Sequence, residues 1–302
     1  MKRVKLAPGI FHLQSGSNMG LVIRDGQALL IDTGLDPDAG RRALRVIEEQ
    51  GAALAAIIVT HAHADHFGGA GFLQDRLDVP LCAPELEAAM MEHPIIEPLY
   101  LFGGAAPIKA LRNKFTLAEP CEVNQVVAPG PLDIGPFSVD VVPLPGHALN
   151  QIGVGVSNAG RRVLFCADAI FPQETIDKHK VLFCVDLDET VETIAQLPSQ
   201  SYDCFAPGHG PAYDAGVAID TICRANQERL EEIRDVVHQT VKTPQETPAI
   251  VQAVAQHFAL GMTRPTSYFL TRTTVLAALS SLERGDSVRA VMNANRMMWE
   301  RI

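Results

Sequence analysis

The sequence predicts an α/β protein with helices packed outside β-sheet, and three observations carry that prediction. Short apolar, β-branched runs alternate with helical patterns between residues 10 and 82. Several of those runs end on a histidine or an aspartate. From about Val217 onward the apolar spacing is helical. Alternation of strand and helix is the pattern of layered α/β architecture, and strand ends at one sheet edge are where distant loops can converge on one site.

In chain order, Ile10-Phe11-His12-Leu13, Gly20 to Ile23 and Ala28 to Ile31 read as strands, and the Asp25-Gly26 turn between the last two is a hairpin signal. Asp32-Thr33-Gly34 ends the third. A helix should start at Asp36, with that side chain as N-cap, Pro37 at the first position, Leu44, Ile47 and Leu54 on the apolar stripe and Gly51 as its stop. Ala55 to Thr60 is a buried strand, followed by a helix from Phe72 to Leu77 and a strand from Val79 to Cys82.

Residues 84–126 interrupt this rhythm. Pro84 to Met91 looks helical, and the apolar, turn-rich stretch after it carries Pro94, Pro98, Gly103, Gly104 and Pro107. Such an insertion serves as a lid, a substrate wall or an oligomer contact, a homodimer included, or else simply covers the core. Strands resume at Val126-Val127, Phe137 to Val142, Ile152 to Val156, Arg162 to Ala169 and Cys204-Phe205.

The chemistry lies at the strand ends. Thr60-His61-Ala62-His63-Ala64-Asp65-His66-Phe67-Gly68-Gly69 holds three imidazoles and a carboxylate within six residues and no thiolate. Neutral imidazole and carboxylate are ligands that zinc, iron and manganese accept. His61 and His63 project to one side of an extended segment, while Asp65 and His66, after a turn, can face a second point. Three further strand ends carry Pro145-Gly146-His147, Asp168 and Pro207-Gly208-His209. Asp32 reads either as a turn residue or as an acceptor that orients a ligand histidine. His12, His93, His179, His238 and His257 have no such context. Cys166 reads as a small core thiol.

Composition bounds the function. The chain has 302 residues, 47% hydrophobic and 20% charged, which suits a folded protein of one large domain or of one domain plus a smaller one. A net charge of −10 argues against sequence-independent nucleic-acid binding, which needs phosphate neutralisation. No apolar run reaches the ~18 residues of a membrane span, so no membrane association is expected. No apolar stretch follows the basic Met1 to Lys5 segment as a signal peptide requires, and six scattered cysteines suit a reducing, cytoplasmic setting.

The ordered set His61, His63, Asp65, His66, then His147, Asp168 and His209, with the early Asp32, resembles the metallo-β-lactamase-fold hydrolase superfamily over residues 10–215. The resemblance implies a four-layer αββα sandwich with two metal ions, zinc foremost and iron or manganese as alternatives, at one edge of its sheets. It assigns His61, His63 and His147 to one ion, Asp65, His66 and His209 to the other, and Asp168 to both. It further implies hydrolysis of a small carbonyl ester, thioester or lactone by a hydroxide held between the metals, with Asp65 and Asp168 as catalytic carboxylates. A phosphodiester substrate would call for basic residues such as Lys109, Arg112, Lys114 or Arg264 at the mouth. A mononuclear iron oxygenase, resembling the persulfide dioxygenases, is the reading from another class. Relatives often have glycine where Ala167 stands, and Ala148 to Gln151 also departs from their usual pattern; no ligand is lost by either change.

Residues 1–215 then form the catalytic domain and residues 216–302 a carboxyl-terminal extension. Helices are expected from Val217, from Thr247-Pro248 to Phe258 and from Arg264-Pro265 to Leu282, with Gly285 as a stop and a β-like run from Val288 to Val291. This ending resembles the winged-helix-like tail of some members, among them β-lactamase-like protein 2, associated with single-stranded RNA cleavage. A plain helical cap fits the pattern equally, and the acidic charge favours the cap over RNA.

Overall fold

The computed structural model describes residues 1–302. The chain opens with four antiparallel strands, β1 (Lys2–Ala7), β2 (Ile10–Gln14), β3 (Met19–Arg24) and β4 (Gln27–Ile31). Helix α1 (Pro37–Glu49) leads to β5 (Ala53–Ile58), then come short helices α2 (Ala64–Phe67) and α3 (Ala70–Gln74), β6 (Leu81–Pro84), α4 (Glu85–Glu92), α5 (Ile96–Leu101) and β7 (Gln125–Val127). These strands form one seven-stranded sheet in sequence order.

The second sheet begins with β8 (Gly130–Ile134), β9 (Phe137–Pro143), β10 (Ile152–Asn158) and β11 (Arg161–Ala167). After α6 (Gln173–His179) and α7 (Leu187–Gln196) it is completed by β12 (Cys204–Pro207) and β13 (Tyr213–Asp214), giving six strands in the order β13-β12-β11-β10-β9-β8. Helices α8 (Val217–Thr240), α9 (Thr247–His257) and α10 (Pro265–Arg284) follow, and the hairpin β14 (Val288–Asn293) and β15 (Arg296–Arg301) ends the chain.

Strand alternation builds the four layers. In β4, Leu29 and Ile31 enter the core between the sheets with Val154 and Phe165, whereas Ala28 and Leu30 face α1 and its neighbours through Ala43 and Ile47. In β11, Val163 and Phe165 face the first sheet, and Leu164 and Cys166 join Ile219, Val251 and Leu279 of the helices α8 to α10. Strands covered on both faces read as continuous apolar runs, which is why they were legible. Truncating one of these core side chains, Phe165 to alanine for instance, costs ~3–5 kcal/mol.

The helix start is as the sequence indicates: Asp36 caps α1 by accepting from the Ala39 N–H at 3.1 Å, with Pro37 in the first turn. Leu54 belongs to β5 and not to the α1 stripe, because the left-handed Gly51 (φ +68°) turns the chain before it. The expected helix from Phe72 to Leu77 stands earlier, at Ala70–Gln74, and the strand expected from Val79 starts at Leu81. In the insertion, α4 excludes Pro84, whose extended backbone precedes it. The carboxyl-terminal region is three helices and a two-stranded hairpin sharing one core with the second sheet. No helix is long and apolar enough to cross a membrane.

Topology brings the site loops together. Strands β4 and β5 are parallel, so Asp32 and Thr60 emerge at the same edge. Strands β9 and β11 are both antiparallel to β10, and β12 is parallel to β11. The loops after β9, β11 and β12 therefore leave that sheet together, carrying His147, Asp168 and His209.

Candidate metal centre

All seven candidate ligands meet there. The ligand atoms of His61, His63 and His147 lie within 4.8 Å of one another, as do those of Asp65, His66 and His209. Asp168 stands between the two triads: one oxygen is 3.4 Å from His66 Nε2, the other 3.6 Å from His147 Nε2 and 3.3 Å from His209 Nε2. His61, His66 and Asp168 make a third such grouping, so the two sets are contiguous.

Hydrogen bonds on the far side of each ring fix which nitrogen points inward. His66 Nδ1 donates to Asp32 Oδ2 at 2.8 Å. His147 Nδ1 donates to the Phe183 carbonyl at 3.0 Å and His209 Nδ1 to the Gly16 carbonyl at 2.9 Å. His61 Nδ1 reaches the Thr60 hydroxyl at 3.1 Å, and that hydroxyl donates to Asp32, which also accepts the Thr60 N–H. With Nδ1 carrying the proton, each Nε2 presents a lone pair, the tautomer a metal requires. His63 is reversed, its Nδ1 lying 2.9 Å from His147 Nε2.

These residues fit a metal. His61 Nε2, His66 Nε2 and Asp168 Oδ1 are buried without a hydrogen bond from the protein, and buried polar atoms are otherwise almost always hydrogen-bonded. His63 Nδ1 and His147 Nε2 lie 2.9 Å apart and pair with each other, and with His61 they come close enough for one cation to take all three rings. Nitrogen and oxygen donors without sulfur suit zinc, iron or manganese.

Electrostatics divide the triads. Burial, reinforced by His147 and its fellow imidazoles, lowers His63 to about 3, and burial likewise holds His61 well below the ordinary imidazole value. Burial also opposes charge on His66 and His209, but Asp168 and Asp65 outweigh it, with Asp32 adding at His66, so His66 is raised and His209 rises to about 10. Burial alone would raise the carboxyls; His66 and His209 turn Asp65 and Asp168 downward instead.

Several supporting residues carried no sequence signal of their own. Glu87, 1% exposed, accepts the Ala62 N–H at 2.8 Å and the Asn150 N–H at 2.9 Å, clamping the loop of His61 and His63 to that of His147. Ser17 donates to Asp65 Oδ2 at 2.7 Å. Asn18 donates to the carbonyls of Pro207 and Gly210, and His12 Nε2 to that of Pro207 at 3.1 Å, so the β2–β3 turn grips the His209 loop. Burial lowers His12 to about 4, leaving it neutral. An inward position beside Ile10 and Leu13 in a short strand was the one hint available for His12.

Backbone geometry explains two small residues. Ala167 adopts φ +47°, the left-handed turn that aims Asp168 out of β11 and that glycine takes more readily. At Gly208 a Cβ would lie 2.1 Å from Asp168 Oδ1. Cys166 is fully buried in the helical core rather than in the site. Of the other histidines, His179 lines the site cavity, His257 pairs with Glu232 at 3.2 Å, and His93 and His238 lie outside it.

Above the triads lies a cavity of about 730 Å³. Its walls come from the segment after Asp168 (Phe171, Phe183), from α10 (Leu270, Thr271) and from the insertion, which contributes Glu97 and Phe115. Phe171 and Phe183 pack against the ligand rings of His147, His63 and His209. Glu97 is 6% exposed; burial, then Asp65 and Glu87, push its carboxyl well above the usual range.

Two facing sheets with paired histidine and aspartate triads at their shared edge define the metallo-hydrolase class of α/β proteins. The chain belongs to the metallo-beta-lactamase superfamily, whose family model matches residues 13–234. It is 23% identical to the probable metallo-hydrolase YqgX of Bacillus subtilis (strain 168) over 203 residues, covering 66% of this chain and 87% of that protein. It is 31% identical to the hydroxyacylglutathione hydrolase of Hahella chejuensis over 137 residues, 45% of this chain and 42% of that one. Among solved structures, a metallo-beta-lactamase family protein of Thermus thermophilus superposes with a TM-score of 0.75 at 18% identity, covering 99% of this chain and 100% of that one.

Proposed function

We propose that this chain is a binuclear metal-dependent hydrolase acting on small carbonyl compounds, thioesters foremost and lactones next. The observation that carries the reading is the pair of ligand triads sharing Asp168 on the floor of a half-apolar cavity. One metal would be held by His61, His63 and His147, the other by Asp65, His66 and His209, with Asp168 between them. Zinc is the leading choice for this donor set, with iron or manganese as alternatives. When bound, such a pair supplies Lewis acidity and lowers the pKa of a coordinated water toward neutrality.

The chain's own groups do the rest. Asp32, Thr60, Phe183 and Gly16 hold the four rings in their inward tautomers. Asp168, 5% exposed, balances charge at the junction of the triads. Asp65 lines the cavity, keeps 31% of its side chain accessible and is held by Ser17, so it is the carboxylate placed to pass a proton to and from the cavity. No cysteine lines the cavity, so a thiol nucleophile is not part of this mechanism.

The carbonyl reading is preferred over a phosphodiester because none of Lys109, Arg112, Lys114 or Arg264 lines the cavity, Lys114 instead pairing with Asp36 at 3.2 Å, and Lys178 is the one lysine or arginine there, beside the acidic Asp65, Glu97 and Glu174. The hydroxyacylglutathione hydrolases among the relatives support the thioester choice. The test is a turnover screen of thioesters, lactones and phosphodiesters with metal-defined protein. About two zinc per chain with thioester or lactone turnover, abolished in folded His61→Ala and Asp168→Ala variants, is expected. One iron per chain with oxygen consumption, or wild-type activity in either variant at unchanged metal content, would sink the proposal.

A further inference from the structure

Four acidic side chains are buried in this protein: Asp32, Glu87, Glu97 and Asp168. Three have partners. Asp32 accepts from Thr60 and His66, Glu87 from two backbone N–H groups, and Asp168 faces three histidines. Glu97 makes neither a hydrogen bond nor an ion pair with the protein, and the charged groups that act on it are the carboxylates of Asp65 and Glu87, which offer it no donor. It nevertheless sits in the cavity wall above the triads, at the start of α5. Buried polar groups pair with protein or with water, so a carboxyl that opens only to this cavity and has no protein partner is left to whatever enters the cavity.

We infer that Glu97 is the specificity contact of the cavity, accepting a hydrogen bond from an O–H or N–H donor on the substrate. The inference rests on the hydrolase reading above for the identity of the site, and adds the chemical class of the group bound there: a hydroxyl or ammonium substituent. In either protonation state a carboxyl keeps lone pairs that accept, so the assignment does not depend on its charge. A substrate lacking the donor would leave Glu97 buried and unpaired in the complex, which is how polar pockets reject apolar analogues. Lys178 also lines the cavity but only donates, and the acceptors Glu174 and His179 there are exposed to water, unlike Glu97.

The test uses zinc-loaded protein and matched probes: propionyl, 2-hydroxypropionyl and 2-aminopropionyl thioesters of N-acetylcysteamine, with 3-substituted counterparts. Wild-type protein should prefer at least one donor-bearing probe to its plain partner by roughly 10–100-fold in kcat/KM. That ratio should fall to near one in Glu97→Leu and to an intermediate value in Glu97→Gln, whose amide oxygen still accepts. The hydroxyl and amino arms identify the donor. In parallel, because Glu97 has no protein partner to lose, both variants should melt at or a few degrees above wild type.

Binding of the corresponding propanamides, followed by NMR, reads the same preference without turnover. Selective binding without thioester hydrolysis would fail the hydrolase reading and leave Glu97 standing. A preference that survives Glu97→Leu, absence of any preference in both turnover and binding, or a drop in melting temperature in both variants would overturn the inference.

Discussion

Removing the Glu87 carboxylate should loosen one triad more than the other. Glu87 reaches the backbone on both sides of the first triad: Ala62 lies between His61 and His63, and Asn150 ends the loop that carries His147. In Glu87→Ala both N–H groups lose their partner, that of Ala62 in a buried region and that of Asn150 in a partly buried one. Each buried donor left unpaired costs ~1–3 kcal/mol. Removing a carboxyl that burial already disfavours, and whose proton affinity is raised, offsets part of that sum. A net loss of ~2–4 kcal/mol follows. For a chain of this size it lowers the melting temperature by roughly 3–6 °C. Glu87→Gln keeps one acceptor and sets its NH2 against the second N–H, so it should lose about half as much. Calorimetry of the metal-free proteins measures the stability. Competitive zinc titration should show the first ion weakened ~10–100-fold and the second nearly unaffected. A Glu87→Ala protein that melts within about 1 °C of wild type, or that loses both ions equally, refutes the clamp.

Gly208→Ala should cost metal and activity with the fold retained, because the new Cβ would fall 2.1 Å from Asp168 Oδ1 and 2.7 Å from His66 Cε1; full metal content by elemental analysis would contradict this. Adding zinc to chelator-treated protein should raise the melting temperature, by about 2.7 kcal/mol of stabilisation at a hundredfold excess over Kd, and an unmoved melting curve would argue against a resident metal. At the start of α7, Arg284 donates to Asp186 at 2.9 Å and to Asp188 at 2.7 Å, while Ser281 donates to Asp188. Burial works to raise the Asp188 carboxyl, but Ser281 and Arg284 prevail and lower it. A lowered carboxyl stabilises above its ordinary value near 3.8 and loses that contribution as pH falls through the lower folded value. Urea titrations should thus show Arg284→Ala less stable by ~0.5–1 kcal/mol at neutral pH, the small size reflecting solvent exposure, and equal to wild type in strong acid. A difference that persists in acid would assign the loss to packing.

How much of this was legible in the sequence depended on where each signal resides. The candidate ligands were legible because metal binding demands particular side chains, and His61 to His66, His147, Asp168 and His209 display them in order. Doubly covered strands such as β4, β5 and β11 were legible because both faces need apolar residues. Strand β1 was not, since Lys2, Arg3 and Lys5 are exposed on a sheet edge, where charge is a protection against further pairing. The supports of the site were illegible for another reason. Glu87, Asn18 and His12 act on backbone atoms, and any residue supplies an N–H or a carbonyl. His12 and Pro207 are 195 positions apart, so only the assembled sheets reveal the contact.

The same distinction separates what holds the chemistry from what selects its object. The floor of the site rises from strands locked between two cores, and its ligands are tied by buried hydrogen bonds to Asp32, Thr60 and Glu87. Helix α10 of the wall is anchored by Val275, Leu279 and Leu282 in the core it shares with the second sheet, and its cavity side carries further ties. Helix α10 meets the floor segment through the Thr274 hydroxyl on the Leu182 carbonyl, the Arg284 clasp on α7, and Phe269 against Phe102 of the insertion. Thr274 is the buried one of these ties; the Arg284 clasp is solvent-exposed, and exposed ion pairs contribute little stability. A substitution of a cavity-facing wall side chain such as Leu270 should therefore change what the cavity admits at small cost to the fold, whereas one among the candidate ligands should cost metal binding. Glu97 belongs to the wall by position and to the floor by burial, and that is why a partnerless carboxyl there points to a substrate group rather than to the scaffold.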